Sequence, residues 1–184
     1  ARDAVFKARH IKCRRMLSGA AYKRVYRVGL VTGNLYGTEV APISDSQLAH
    51  MRSAAVRAEG IWSAGTPSCI YWLAMGPKAD PAFIAFSKPI LRIAKEIWLL
   101  SPLAQGHTCH PDKLTSHELN RLAKYIRYHC FKSLPLNWVH KCFLKFGITV
   151  TSPAIWCIGG ATIEVPFSTK DLIKDALAKV WAQL

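Results

Sequence analysis

The sequence predicts a mainly α-helical fold, an irregular multi-helix assembly with one short β-hairpin near the C-terminus. Three observations predict it. Apolar residues recur at i, i+3, i+4 and i+7 through most of the 184 residues. Start signals (Ser or Asp with Pro) and stop signals (Gly) bracket those repeats. One late stretch, SPAIWCIGGATIEVPF, breaks the helical period around a Gly-Gly pair. A chain that is 51% apolar and only 20% charged is not broadly disordered, because disorder needs low hydrophobicity and high charge.

The first segment, residues 2–17, fits a helix. Val5, Phe6, His10, Cys13, Met16 and Leu17 fall on one apolar arc, with Lys7 and Arg14 expected opposite. Ser18-Gly19 breaks it. A short second helix follows, with Tyr22, Val25, Tyr26 and Gly29 inward and Lys23 and Arg27 outward. VTGNLYGTEVAPIS is a turn region, since Gly33-Asn34 and Tyr36-Gly37 tolerate positive φ and Pro42 bars a helix from running through Ala41. Ser44 and Gln47 have capping-box spacing. They open a third helix with Leu48, Met51, Ala55 and Ala58 inward and Gly60 at its end.

Residues 61–80 are punctuated by Gly and Pro, with a short helix expected over 67–75. Asp80-Pro81 starts the next helix, with Phe83, Phe86, Ile90, Ile93 and Ile97 on one face and Lys88, Arg92 and Lys95 on another. Pro89 is expected to kink this helix or split it at Ser87. Thr115 and Glu118 open a helix to about Phe131, with Leu119, Leu122, Ile126 and Cys130 inward. Its other face carries Arg121, Lys124, Tyr125 and Tyr128. Residues 135–146 form a further helix with Trp138, Cys142, Phe143 and Phe146 inward, stopped by Gly147. Gly159-Gly160 joins the two strands of a hairpin at about 154–165. Ser168 is the expected cap of a last helix whose apolar face is Leu172, Ile173, Ala176, Leu177, Val180 and Trp181.

This divides the chain into a basic helical region, 1–100, a polar linker, 101–114, and a helical module with the hairpin, 115–184. The chain opens at Ala1 directly on a helical pattern, as a piece of a longer protein would. Six dispersed cysteines without a C-x-x-C pair suit a reduced, intracellular protein, nuclear or cytoplasmic and not secreted. No apolar run is long enough to span a bilayer, so no membrane partner is expected.

The formal charge is +14, from 25 Lys and Arg against 11 Asp and Glu. Such a surface favours polyanions. The charge is concentrated, with nine Lys or Arg and one acid, Asp3, between Arg2 and Arg27. Nucleic acid needs cations at its phosphates and rings or polar groups near its bases. Lys7, Arg9, Lys12, Arg14, Arg15, Lys23, Arg24 and Arg27 supply the cations and Tyr36 a ring, whereas Tyr22 and Tyr26 face the core. For a single Lys or Arg a solvated role is usual; for this cluster, polyanion contact is favoured. Arg121, Lys124 and Tyr128 form a second candidate face, which could equally contact protein.

Other chemistry is poorly represented. His107, Cys109, His110, His117, His129, Cys130, His140 and Cys142 invite a zinc site. Their spacings are not those of paired tetrahedral ligands, and buried thiols acting as small hydrophobes are the commoner outcome. Paired carboxylates, a Cys–His nucleophile and phosphate or dinucleotide glycine loops are missing. The chain is therefore expected to carry no catalytic residue, no metal, no cofactor and no small-molecule substrate.

YKRVYRVGLVTGNLYGTEVAPIS followed by QLAHMRSAAVRAEG resembles the region just after the catalytic palm in reverse transcriptases of non-LTR retrotransposons. There, an Arg-rich helix pair leads into a Tyr-Gly-x-Glu turn, here Tyr36-Gly37-Thr38-Glu39, and then a helix, here with Leu48, Arg52 and Ala55. Thr32-Gly33 stands where the family has Pro. The stretches 76–98 and 143–165 are similar to the C-terminal region of such retroelement proteins in protist genomes. The resemblance implies a thumb-like, non-catalytic segment that grips the template–primer backbone of RNA, DNA or a hybrid. Its catalytic partner would be a palm upstream in the same parent RNA-directed DNA polymerase, since the family's paired palm aspartates do not occur here. The alternative is a helical protein-interaction or scaffold module whose basic surface serves solubility.

Overall fold

The helical repeat of the opening segment produces α1 (Arg2–Met16), followed after two residues by α2 (Gly19–Val25). The computed structural model describes residues 2–39, 41–60, 75–100 and 136–184. The expected helix over 115–131, the expected linker 101–114 and all but the last residue of the expected helix over 67–75 lie outside them. The described residues are mainly helical, with a small antiparallel sheet near the C-terminus. The chain divides into two compact units, residues 1–38 with 42–85 and residues 39–41 with 86–184.

In the first unit, α2 runs without a break into a π-helical turn (Tyr26–Val31) and then α3 (Thr32–Asn34). The wider turn brings Tyr26, Leu30, Val31 and Asn34 inward, while Val25 and Gly29, expected inside, are exposed. Tyr26 is anchored from its far end, where its hydroxyl donates to the carbonyl of Met51 at 2.6 Å. Helix α4 (Asp45–Ala58) begins as its sequence predicts. The Ser44 hydroxyl accepts from the Gln47 amide at 3.2 Å. Only half of the capping box forms, because the Gln47 side chain donates to Asn34 Oδ1 at 3.2 Å. Leu48, Met51, Ala55 and Ala58 are all buried. Each of the larger two contributes on the order of 1.5–3 kcal/mol by leaving water.

Helix α5 (Pro81–Leu100) passes through Pro89 without splitting at Ser87. A mid-helix proline costs about 3 kcal/mol. Phe83, Phe86, Ile90, Ile93 and Ile97 are all buried along the same helix, and that burial outweighs the penalty. The division between the two units falls within α5, after Ala85.

The second unit adds α6 (Leu136–Lys145), strands β1 (Thr149–Ser152), β2 (Ile155–Ile158) and β3 (Ala161–Glu164), and α7 (Lys170–Trp181). The expected hairpin is β2–β3, in unbroken register from Ile158↔Ala161 to Ile155↔Glu164. Gly159 (φ +57°) and Gly160 (φ +82°) make the two left-handed residues that a tight hairpin turn requires. A third strand, β1, lies on the other side of β2, with a register shift between Val150 and Ser152. One sheet face buries Trp156, Ile158 and Ile163. The core is aromatic: Phe86 against Trp138 at 5.1 Å, Phe143 against Trp156 at 5.4 Å and Phe146 against Trp181 at 5.4 Å between ring centroids. Cys142 is buried within α6, and burial pushes its thiol up to about 12. Thr169, not Ser168, caps α7, accepting from the Leu172 amide at 3.2 Å. The Ser168 hydroxyl instead donates to the Val165 carbonyl at 2.9 Å. Leu172, expected inside, is exposed.

Candidate nucleic-acid interface

The chemistry of the basic opening is decided by which face of α1 the fold buries. Phe6 and His10 are buried, and Cys13 and Leu17 are half-buried, spaced i, i+4, i+7 and i+11. These four form the inward stripe. Val5 and Met16, expected on it, are 49% and 71% exposed. At about 100° per residue, Lys7 and Arg14 sit beside the stripe and not opposite it, Arg9 lies on its other flank, and Lys12 and Arg15 lie farther round. All five are exposed. Among the described residues, Arg9, Lys12, Arg14 and Arg15 enter no ion pair. The cations therefore wrap the exposed surface of α1 in a band, with Val5, Ile11 and Met16 between them.

The stripe docks through rings. His10 lies 6.0 Å from Phe6, 5.9 Å from Tyr22 and 6.3 Å from Tyr26, centroid to centroid. Its Nε2 and the Tyr22 hydroxyl are buried without a hydrogen-bond partner. Burial holds the imidazole below its ordinary pKa, and the nearby Arg14 and Arg57 charges push it the same way. His10 is thus neutral at neutral pH and adds no charge to the band.

Lys23, Arg24 and Arg27 differ from one another. Arg24 is exposed. Lys23 and Arg27 turn toward a residue that the sequence did not mark, Glu59 at the end of α4. Arg27 Nε donates to Glu59 Oε1 at 2.7 Å, with Nη2 at 2.5 Å from the same oxygen. Lys23 pairs with Oε2. The Glu59 side chain is only 1% exposed, so the two cations meet its carboxylate in a dry setting. A second clasp joins Arg52 to Asp80, Nε to Oδ1 at 3.0 Å and Nη2 to Oδ2 at 2.5 Å. Asp80 Oδ1 also accepts from the Ala82 amide at 2.8 Å, which caps α5.

The Tyr-Gly turn places its aromatic outside. Leu35 and Thr38 are fully buried, the Thr38 hydroxyl donates to Leu35 O at 2.8 Å, and Gly37 takes a φ of +77°. Tyr36, between these anchors, is 81% exposed. Arg121, Lys124 and Tyr128 lie outside the described residues, as do the histidines and cysteines between 107 and 130. Among the described residues, no group of three or more His, Cys, Asp or Glu is placed to hold a metal ion. Nor, among them, is any helix long and apolar enough to cross a membrane.

What sequence reasoning missed is long-range. Glu59 is 32 positions from Arg27, and no local spacing announces the pair. The one available signal was its position as a lone acid closing an apolar helix. No family model, no curated protein and no solved structure matches the chain.

Proposed function

We propose that the chain binds nucleic acid through the phosphate backbone, using the band on α1 (Lys7, Arg9, Lys12, Arg14 and Arg15), with Arg24 exposed on α2. The observation that carries this is the contrast between two sets of cations. Lys23 and Arg27 share the Glu59 carboxylate, whereas Arg9, Lys12, Arg14 and Arg15 enter no ion pair among the described residues and project to solvent on a helix that buries only a narrow stripe. Positive charge concentrated on the exposed side of one helix suits a polyanion, whose bound counterions it displaces. Tyr36 adds one exposed ring in the same unit. The resemblance to the post-palm region of non-LTR reverse transcriptases supports a non-catalytic, thumb-like role on a template–primer. A reading frame with paired palm aspartates upstream of Ala1 would be its direct test.

The binding test is salt dependence. Fluorescence anisotropy with an RNA–DNA hybrid should give log K falling against log salt with a slope of about −4, from about five phosphate contacts. Replacing Lys7, Lys12, Arg14 and Arg15 together by alanine, a strong helix former, should weaken binding to all sequences alike and remove most of that slope. A slope near zero for the unaltered chain would overturn the proposal.

Val5, Ile11 and Met16 among the cations favour a second reading, a protein-interaction face. Tight binding of a protein partner that nucleic acid fails to displace would select it.

A further inference from the structure

Ser18 lies between α1 and α2 and is exposed. Its backbone is extended, with φ −123° and ψ 158°. That conformation puts it at the cap position of α2, yet its hydroxyl makes no capping bond. Ser44 and Thr169, at the same position of their helices, do use their hydroxyls, on the amides of Gln47 and Leu172. Among the described residues, Ser18 therefore carries a hydroxyl that its own helix leaves unused.

The residues before it carry a charge signal. Arg14 and Arg15 stand four and three positions upstream, in the last turn of α1. Both are exposed, and neither enters an ion pair among the described residues. Of all the serines and threonines in the chain, Ser18 alone has an arginine three positions before it. A guanidinium at that spacing is what an arginine-directed protein kinase reads, through carboxylates in its substrate cleft. Gly19 and Ala20, which follow, are small and exposed, so nothing bulky shields the hydroxyl. Kinases take their substrates extended, so the last turn of α1 has to uncoil. Helix ends open at low cost. Met16 is 71% exposed, and between residues 14 and 18 only the half-buried Leu17 leaves its packing.

We infer that Ser18 is a phosphorylation site for an arginine-directed serine/threonine kinase, and that its phosphate pairs with Arg14 and Arg15 and withdraws them from the α1 band. The γ-phosphoryl group of ATP passes to Ser18 Oγ. The bond formed is Oγ–P. The bond broken joins the γ-phosphorus to the bridging oxygen, which leaves on ADP, and the hydroxyl proton goes to the kinase's general base. The phosphate carries about −1.5 to −2 charge at neutral pH, which offsets about two of the five cations in the band. It opposes the dipole at the C-terminal end of α1 and complements the one at the start of α2. These end effects offset each other, and pairing with the arginines decides the outcome. The loss of polyanion affinity that follows rests on the nucleic-acid reading, whereas the acceptor site and its arginine pairing do not.

The test incubates the whole chain with magnesium ATP and a purified serine/threonine kinase that reads arginine three positions before its acceptor. Peptide mass spectrometry should place one phosphoryl group on Ser18. Arg15→Ala, at an exposed position, should slow the reaction about tenfold or more with an unchanged unfolding midpoint. In phosphorus NMR the second ionisation of the phosphoserine should fall below its ordinary value of about 6, because the two guanidiniums favour the dianion. On the RNA–DNA hybrid, modification should reduce the salt slope by nearly two units and the affinity at about 0.1 M salt about tenfold or more. Kinase-treated Ser18→Ala should match the untreated chain. Preference for another hydroxyl, indifference to Arg15→Ala, or an ordinary second ionisation would each overturn the inference. So would an unmoved hybrid affinity in a modified chain whose unmodified form shows the steep slope. A flat slope before modification strikes the nucleic-acid reading alone, and the kinase rate and the phosphorus titration then decide Ser18.

Discussion

His10 and Glu59 carry the sharpest predictions at the scale of single residues, because each is an ionisable group held where water is scarce. His10 is packed among Phe6, Tyr22 and Tyr26 and faces the charges of Arg14 and Arg57. Its folded pKa lies below the unfolded one, so below the ordinary imidazole range the unfolded chain binds the extra proton first. Stability should accordingly be full at neutral pH and fall as pH drops from about 7 toward 5. His10→Phe, which keeps a ring in the cluster, should flatten that part of a urea-midpoint-against-pH curve. An unchanged curve would show that some other group titrates. Glu59→Gln keeps shape but leaves Lys23 and Arg27 facing a neutral amide. Since both cations are roughly half exposed, the loss should be about 1–3 kcal/mol in urea unfolding, below the value for a fully buried pair. The His10 cluster was partly legible, as its helical spacing was correct. Glu59 was not, since pairing across tens of residues leaves no local pattern.

The elements show where periodicity is a sufficient guide and where it is not. Helices α4 and α5 follow their sequence because each joins a capping side chain to an apolar stripe that is buried throughout. Periodicity fails on α1, whose inward stripe is half the expected width. An arc containing Val5 and Met16 is compatible with helical spacing, and only the partner helices decide how much of it is covered. Strand β1 gave no signal, because Thr149, Val150 and Thr151 are all exposed and no alternation marks a buried face. The hairpin was legible from Gly159-Gly160, and the structure adds a second reason for the first glycine. Gly159→Ala places a methyl in a left-handed backbone and against Val180, 2.7 Å from Cγ2. It should cost about 2 kcal/mol or more, measured by thermal or urea unfolding. Gly160→Ala meets no such neighbour, so its cost should be the smaller of the two.

At the scale of the whole molecule, net charge and local charge give different information. The value of +14 makes attraction to polyanions general, but only the folded arrangement separates cations satisfied by Glu59 from those on the α1 band. The quadruple alanine variant tests that distinction, because Lys23, Arg24 and Arg27 keep their charge in it. Cys142 provides a clock for the second unit. Its thiol is walled in and held protonated, so iodoacetamide should leave it intact while Cys13 and Cys157, both half-buried, are modified sooner. Mass spectrometry of the alkylated chain should then show Cys142 reacting at a pace that follows denaturant. Each modified molecule would mark one excursion in which the aromatic interior came apart.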